Sequence, residues 1–158
     1  MQKLLLHILA FLSLPLFLFA QNGKVQVKVF EFEEGLSHRI VSKILQSEDG
    51  YIWISTINGL NRFDGYEFTK YNDEQGLRPV PFSTISDMHL ANSNHLWLAG
   101  PDHLAFLDMH SVQCKTIKIK QGPSVARESI IPYNLFVDAQ DVLWACAFDE
   151  KSAKSRLL

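Results

Sequence analysis

Glu48-Asp49-Gly50-Tyr51-Ile52-Trp53-Ile54-Ser55-Thr56-Ile57-Asn58-Gly59-Leu60-Asn61-Arg62-Phe63-Asp64-Gly65 decides the fold. Asn58-Gly59 and Asp64-Gly65 are dipeptides that favour tight hairpins, because they reach left-handed backbone angles at low cost. Glu48-Asp49-Gly50 is a third turn signal. Between the turns, residues 51–56 and 60–63 are short runs rich in β-branched and aromatic side chains, the composition of strands. Residues 40–45 before them and 66–71 after them read the same way. The result is four short antiparallel strands in succession.

Working outward, the three tryptophans show that the unit recurs. Trp53, Trp97 and Trp144 stand 44 and 47 residues apart. Nine positions before each lie Ile44, Met88 and Leu135, and one before lie Ile52, Leu96 and Leu143. Leu60 and Leu104 follow the first two by seven, and Phe63 and Leu107 by ten, each with an aspartate next, Asp64 and Asp108. Four strands in a period of about 45 residues describe a propeller blade. The second unit reads as strands at 84–90, 95–99, 104–107 and 112–119, and the third as strands at 130–137 and 142–148. Residues 151–158 then abandon the pattern. Phe30 lies five residues before Gly35-Leu36, as Tyr71 lies five before Gly76-Leu77, so residues 25–32 read as an outer, ring-closing strand. No helical periodicity follows the leader. The expected fold is all-β: an incomplete β-propeller of about two and a half four-stranded blades after a signal peptide. A closed propeller typically needs four to eight blades, so truncation is the simplest account. The expected divisions are a signal peptide at 1–20, the outer strand at 21–34, blades at 35–75 and 76–121, and a partial blade at 122–158.

The leader rests on a charged start at Lys3, an apolar run from 4 to 20, and an abrupt polar shift at Gln21-Asn22-Gly23. Seventeen residues sit at the lower limit for a membrane anchor. Pro15 and the early polar shift favour cleavage, so the chain is expected to be exported to the periplasm. Fifteen basic against seventeen acidic residues leave a net charge of −2 with no dominant basic patch, which argues against a nucleic-acid partner. Cys114 and Cys146 are too few for a disulfide framework; one bridge or two small apolar side chains both fit.

Gly35-Leu36-Ser37, residues 44–56 and residues 58–65 closely resemble the two-component regulator propeller repeat. The match weakens over 76–119, where Asn94 replaces a turn glycine and His103 replaces Gly59, and is faint over 122–148. The resemblance implies the N-terminal periplasmic part of a Bacteroidetes hybrid sensor histidine kinase that reads oligosaccharides. In such a protein the remaining blades and the kinase part lie elsewhere, so this stretch is expected to catalyse nothing. A homodimer is left open.

Three other readings compete with this one. Residues 47–53 resemble a sialidase Asp-box, which would suit a secreted carbohydrate-active propeller enzyme, but the spacing is one residue short and Ile52 replaces its threonine. A protein-interaction propeller of the WD40 type fits the period, yet Ile54, Leu98 and Ala145 follow the tryptophans where that family places aspartate. His89, His95, His103 and His110 lie six to eight residues apart, wider than the pairs zinc sites use, so no metal is expected; nor is a cofactor. Trp53, Trp97, Trp144, Gly50, Gly59 and Gly65 read as structural residues of the repeat. Ligand binding is expected on the loops that enter each first strand and join second to third, at Arg39, Asn58, Arg78 and Asp102, with His38 and His103 behind them.

Overall fold

A computed structural model describes residues 26–30, 32–71, 80, 83–119, 130–149 and 154–157. The leader, Arg78 and the start of the expected outer strand therefore lie outside the described residues. Three antiparallel sheets follow one another. The first holds β1 (Val41–Gln46), β2 (Ile52–Thr56), β3 (Gly59–Phe63) and β4 (Phe68–Tyr71) in chain order. The second holds β5 (Asp87–Asn92), β6 (His95–Gly100), β7 (His103–Asp108) and β8 (Cys114–Lys118). The third holds β9 (Ile130–Val137), β10 (Leu143–Asp149) and β11 (Lys154–Leu157). The all-β reading and the strand order within each unit hold. No described helix is long and apolar enough to cross a membrane.

The repeat is kept in the ladders. Trp53 stands opposite Leu45 and Arg62, and Trp97 opposite His89 and Phe106, at equivalent places. Because strand side chains alternate between faces, each sheet has a tryptophan face and an opposite one. Trp53, Leu60 and Tyr71 share one buried cluster with Met88, Leu96, Leu98 and Leu107 of the second sheet. Trp53 stacks on Tyr71 with ring centroids 5.8 Å apart. The tryptophan face of the second sheet repeats the device: Trp97, Ala99 and Leu104 pack with Leu135, Leu143 and Ala145 of the third. The tryptophan face of each of the first two sheets thus buries the next sheet, each large side chain contributing roughly 1.5–3 kcal/mol.

The inner strands are also tied side by side. The Lys43 ammonium lies 3.1 Å from Asp87 Oδ1, and Asp87 Oδ2 accepts the Leu135 N–H at 2.6 Å. Ser42 Oγ donates to the Ile85 carbonyl at 2.5 Å, and Ser86 Oγ donates to the Pro132 carbonyl. Ser42 and Ser86 are 44 residues apart, the spacing of the first two tryptophans. Each serine fixes a blade to the backbone of its successor.

Two expectations need correction. Residues 26–30 form no strand and Phe32–Glu34 is a short 3₁₀ turn, so the strand read at 25–32 joins none of the described sheets. A strand exists through its hydrogen-bonded partner, and here the segment is held by side chains instead. Phe30 lies edge-on to Phe63 and Phe68, at 4.7 and 5.8 Å. Nor does the third unit stop after two strands. β11 pairs with β10, Cys146 opposite Leu157 and Asp149 opposite Lys154. An open strand edge offers unpaired backbone groups to any extended segment, whatever its propensity.

Candidate functional site

The loops entering β1 and the β2–β3 and β6–β7 hairpins lie at one end of the sheets, as alternation of antiparallel strands requires. A buried polar knot anchors the first of them. Asn61, fully buried, accepts the Ser37 N–H on Oδ1 at 2.9 Å and donates from Nδ2 to Ser37 Oγ and the Ile54 carbonyl at 2.7 and 3.1 Å. Ser37 Oγ and Thr56 Oγ1 are 2.8 Å apart. With every member paired, the knot rigidifies the loop that carries His38 and Arg39. Ala105 stands at the corresponding ladder place in the second sheet, which therefore lacks the knot.

Arg39 is exposed and lines an open cavity of about 380 Å³ with Phe30, Phe32, Glu33, Leu36 and Val41. His38 Nδ1 accepts the Ile40 N–H at 2.9 Å. Asn58 is half-buried, its N–H bonded to Thr56 Oγ1 at 3.0 Å.

Asp102 serves the joint between sheets. Its N–H donates to the Ile130 carbonyl at 2.8 Å, and its Oδ1 accepts the Ile130 N–H at 2.7 Å. It also takes the left-handed backbone angle of the hairpin, φ 61°, which Gly59 supplies in the first sheet at φ 111°. The turn survives His103 in place of glycine because the left-handed residue moves back one position to an aspartate, which tolerates it. His103 Nδ1 lies 2.9 Å from the Pro101 carbonyl. Among the described residues, no hydrogen bond joins any two of Arg39, Asn58, Asp102, His38 and His103; they share an end of the sheets and form no single cluster.

Three turn aspartates sit in comparable settings. Asp64 accepts the N–H groups of Tyr66 and Glu67, and Asp108 those of His110 and Ser111. Asp138 accepts Gln140 and Val142 and, through Oδ2, Trp144 Nε1 at 2.7 Å. These donors hold all three carboxyls below the ordinary aspartate range, Glu67 foremost for Asp64, Ser111 for Asp108 and Trp144 for Asp138. Trp53 Nε1 finds Ser47 Oγ at 3.3 Å, also six residues back. Ala91 holds that place before Trp97.

Cys114 and Cys146 are unbridged, and burial pushes the Cys114 thiol up to about 11. Burial, then the Lys43 charge, lowers His89. Among the described residues no three His, Cys, Asp or Glu side chains converge on a common point.

The sequence reading missed the Asn61 knot and the serine ties. Only the serines left a signal, their 44-residue spacing.

Residues 35–58 match the family model described as two component regulator propeller. Over 66 residues, 42% of this chain, the sequence is 38% identical to histidine kinase P4 of Formosa agariphila, of which that stretch is 5%. The structure is similar to the extracellular domain of a hybrid two-component system of B. thetaiotaomicron (TM-score 0.58, 16% identity), covering 83% of this chain and 18% of that one. A second extracellular domain of that organism, from a one-component system, matches with TM-score 0.60 at 12% identity over 87% of this chain and 19% of that one. The chain therefore spans less than a fifth of the proteins it matches. It carries a two-component regulator propeller repeat, and its three sheets are consecutive blades of a β-propeller, the fold of those extracellular domains.

Proposed function

We propose that the chain is part of an extracellular sensor propeller of a two-component signalling protein, exported to the periplasm, with an oligosaccharide as the sensed ligand. The observation that carries this reading is the family repeat at 35–58, continued in ladder register through two further sheets. Phosphoryl transfer in such a protein belongs to a kinase part, and these blades contribute recognition and rigidity. Arg39 supports the ligand assignment, because it shares its cavity with two phenylalanines and a glutamate. Apolar rings beside charged groups suit a sugar, whose faces are apolar and whose rim is polar. Asp102 is better read as a joint than as a ligand contact, since Ile130 occupies Oδ1.

Calorimetric titration with neutral and uronate oligosaccharides tests the reading. Saturable heat that is lost in Arg39→Ala and kept in Tyr66→Ala supports it. Unchanged affinity in Arg39→Ala would remove the cavity from consideration.

A further inference from the structure

The β2–β3 hairpin turns at Asn58-Gly59, a pair with a chemistry of its own. Glycine carries no side chain, so its amide nitrogen approaches the preceding asparagine unhindered. In an unrestrained chain that nitrogen loses its proton and attacks asparagine Cγ, and the pair deamidates. The N–H must be free to ionise, and the nitrogen must come within bonding reach of Cγ. The fold opposes both. The Gly59 N–H donates to the Ser83 carbonyl at 2.6 Å, and Gly59 is buried. Thr84 Oγ1 donates to the Ile57 carbonyl at 3.3 Å, and the Ile85 N–H donates to the Thr56 carbonyl at 3.1 Å. The chain entering β5 thus grips the hairpin of the blade before it. From the hairpin's own blade, Thr56 Oγ1 accepts the Asn58 N–H and donates to the Gly59 carbonyl, each at 3.0 Å. The peptide groups on either side of the Asn58–Gly59 bond are therefore held as well.

We propose that Asn58 is a deamidation site guarded by the joint between the first two sheets. While the joint is closed, the asparagine persists. When Gly59 and Ser83 part, the Gly59 nitrogen gives its proton to solvent and bonds to Asn58 Cγ. The Cγ–Nδ2 bond breaks, and ammonia leaves after taking up a proton. The product is a cyclic imide, which water opens at either carbonyl to aspartate or isoaspartate. Nothing is oxidised or reduced; the net change is water in and ammonia out. Either product puts a carboxylate at the end of the sheets that carries His38 and Arg39. Isoaspartate also lengthens the main chain by a carbon, which takes Gly59 out of register with Thr56, its ladder partner. The amide does not re-form, so each modified chain records that its joint has opened. This inference does not depend on the sensor reading.

The test is peptide mapping by mass spectrometry, with an isoaspartate assay, on the whole 158-residue chain held at mildly alkaline pH. Circular dichroism follows the fold throughout. Loss of Asn58 in the folded chain should be slower by about tenfold or more than in the same chain in denaturant, because only opened molecules react. Thr84→Ala, which removes one exposed tie, should raise the folded rate about threefold, the effect of a single modest hydrogen bond. Thr84→Ser keeps the hydroxyl and should restore the slow rate. Trp53→Ala loosens the whole joint and should raise the rate further; if it does not fold, its rate should equal that of the denatured chain. Tyr66→Ala, away from the joint, should react as the wild type does. Equal rates in the folded and denatured wild type overturn the proposal. So does a folded rate that neither Thr84→Ala nor Trp53→Ala changes.

Discussion

Trp53 and Trp144 occupy the same place in their sheets and differ in what lies beyond them. Each is the second residue of its sheet's second strand, and both donate the indole N–H to a side chain six residues back, Ser47 and Asp138. Trp53 is 1% exposed because the second sheet covers it; Trp144 is 41% exposed. A blade therefore positions its tryptophan, while its neighbour supplies the burial. Stability in such an array is a sum of blade terms and nearest-neighbour terms, and this pair separates the two.

The largest effect should come from the covered member. Trp53→Ala is expected to cost about 3–5 kcal/mol in denaturant titration, the range for a fully buried large aromatic. A loss under about 1 kcal/mol, the scale of surface changes, would show that the first joint contributes little. Next comes the knot that the first blade has and the second lacks. Asn61→Ala should cost about 1–3 kcal/mol, because buried groups of Ser37 and Ile54 lose their partner. Its counterpart Ala105→Gly lacks that penalty, which a paired titration would reveal. Trp144→Ala should cost no more than about 1 kcal/mol, near the surface range. A cost equal to that of Trp53→Ala would erase the contrast.

The smallest effect is acid sensitivity, since Asp64 is exposed, Asp108 and Asp138 are half-buried, and solvent screens all three. Their folded pKa values lie below the unfolded value of about 3.9. They therefore stabilise above that value, and the contribution is lost as pH falls through the folded values. Stability should be flat from neutrality to about pH 5 on their account and decline below about pH 4. A triple Asp→Asn variant that keeps the same acid slope would show that other groups set it.

The blades were legible because their causes are local. Asn58-Gly59 and Asp64-Gly65 fix turns by backbone angle, and the spacing of Trp53, Trp97 and Trp144 fixes the period. β11 was not legible, since Lys154-Ser155-Arg156-Leu157 has no β-branched residue and pairs because β10 presents an edge. The loop end was legible from strand alternation, but the duty of Asp102 was not. Its partner, Ile130, is 28 residues away and is engaged through a main-chain group that no side chain announces.

The serine ties at Ser42 and Ser86 bear on how the repeat can change. Each donates to a carbonyl, at Ile85 and at Pro132, and a carbonyl is present whatever side chain its residue bears. Even proline, which has no N–H, can fill the accepting role. A successor blade can thus drift in sequence, as the chain does from residue 76 onward, without losing its seat. The tie constrains the donor's side chain and leaves the acceptor's free, so each blade's packing residues can vary without disturbing how it is seated on its neighbour.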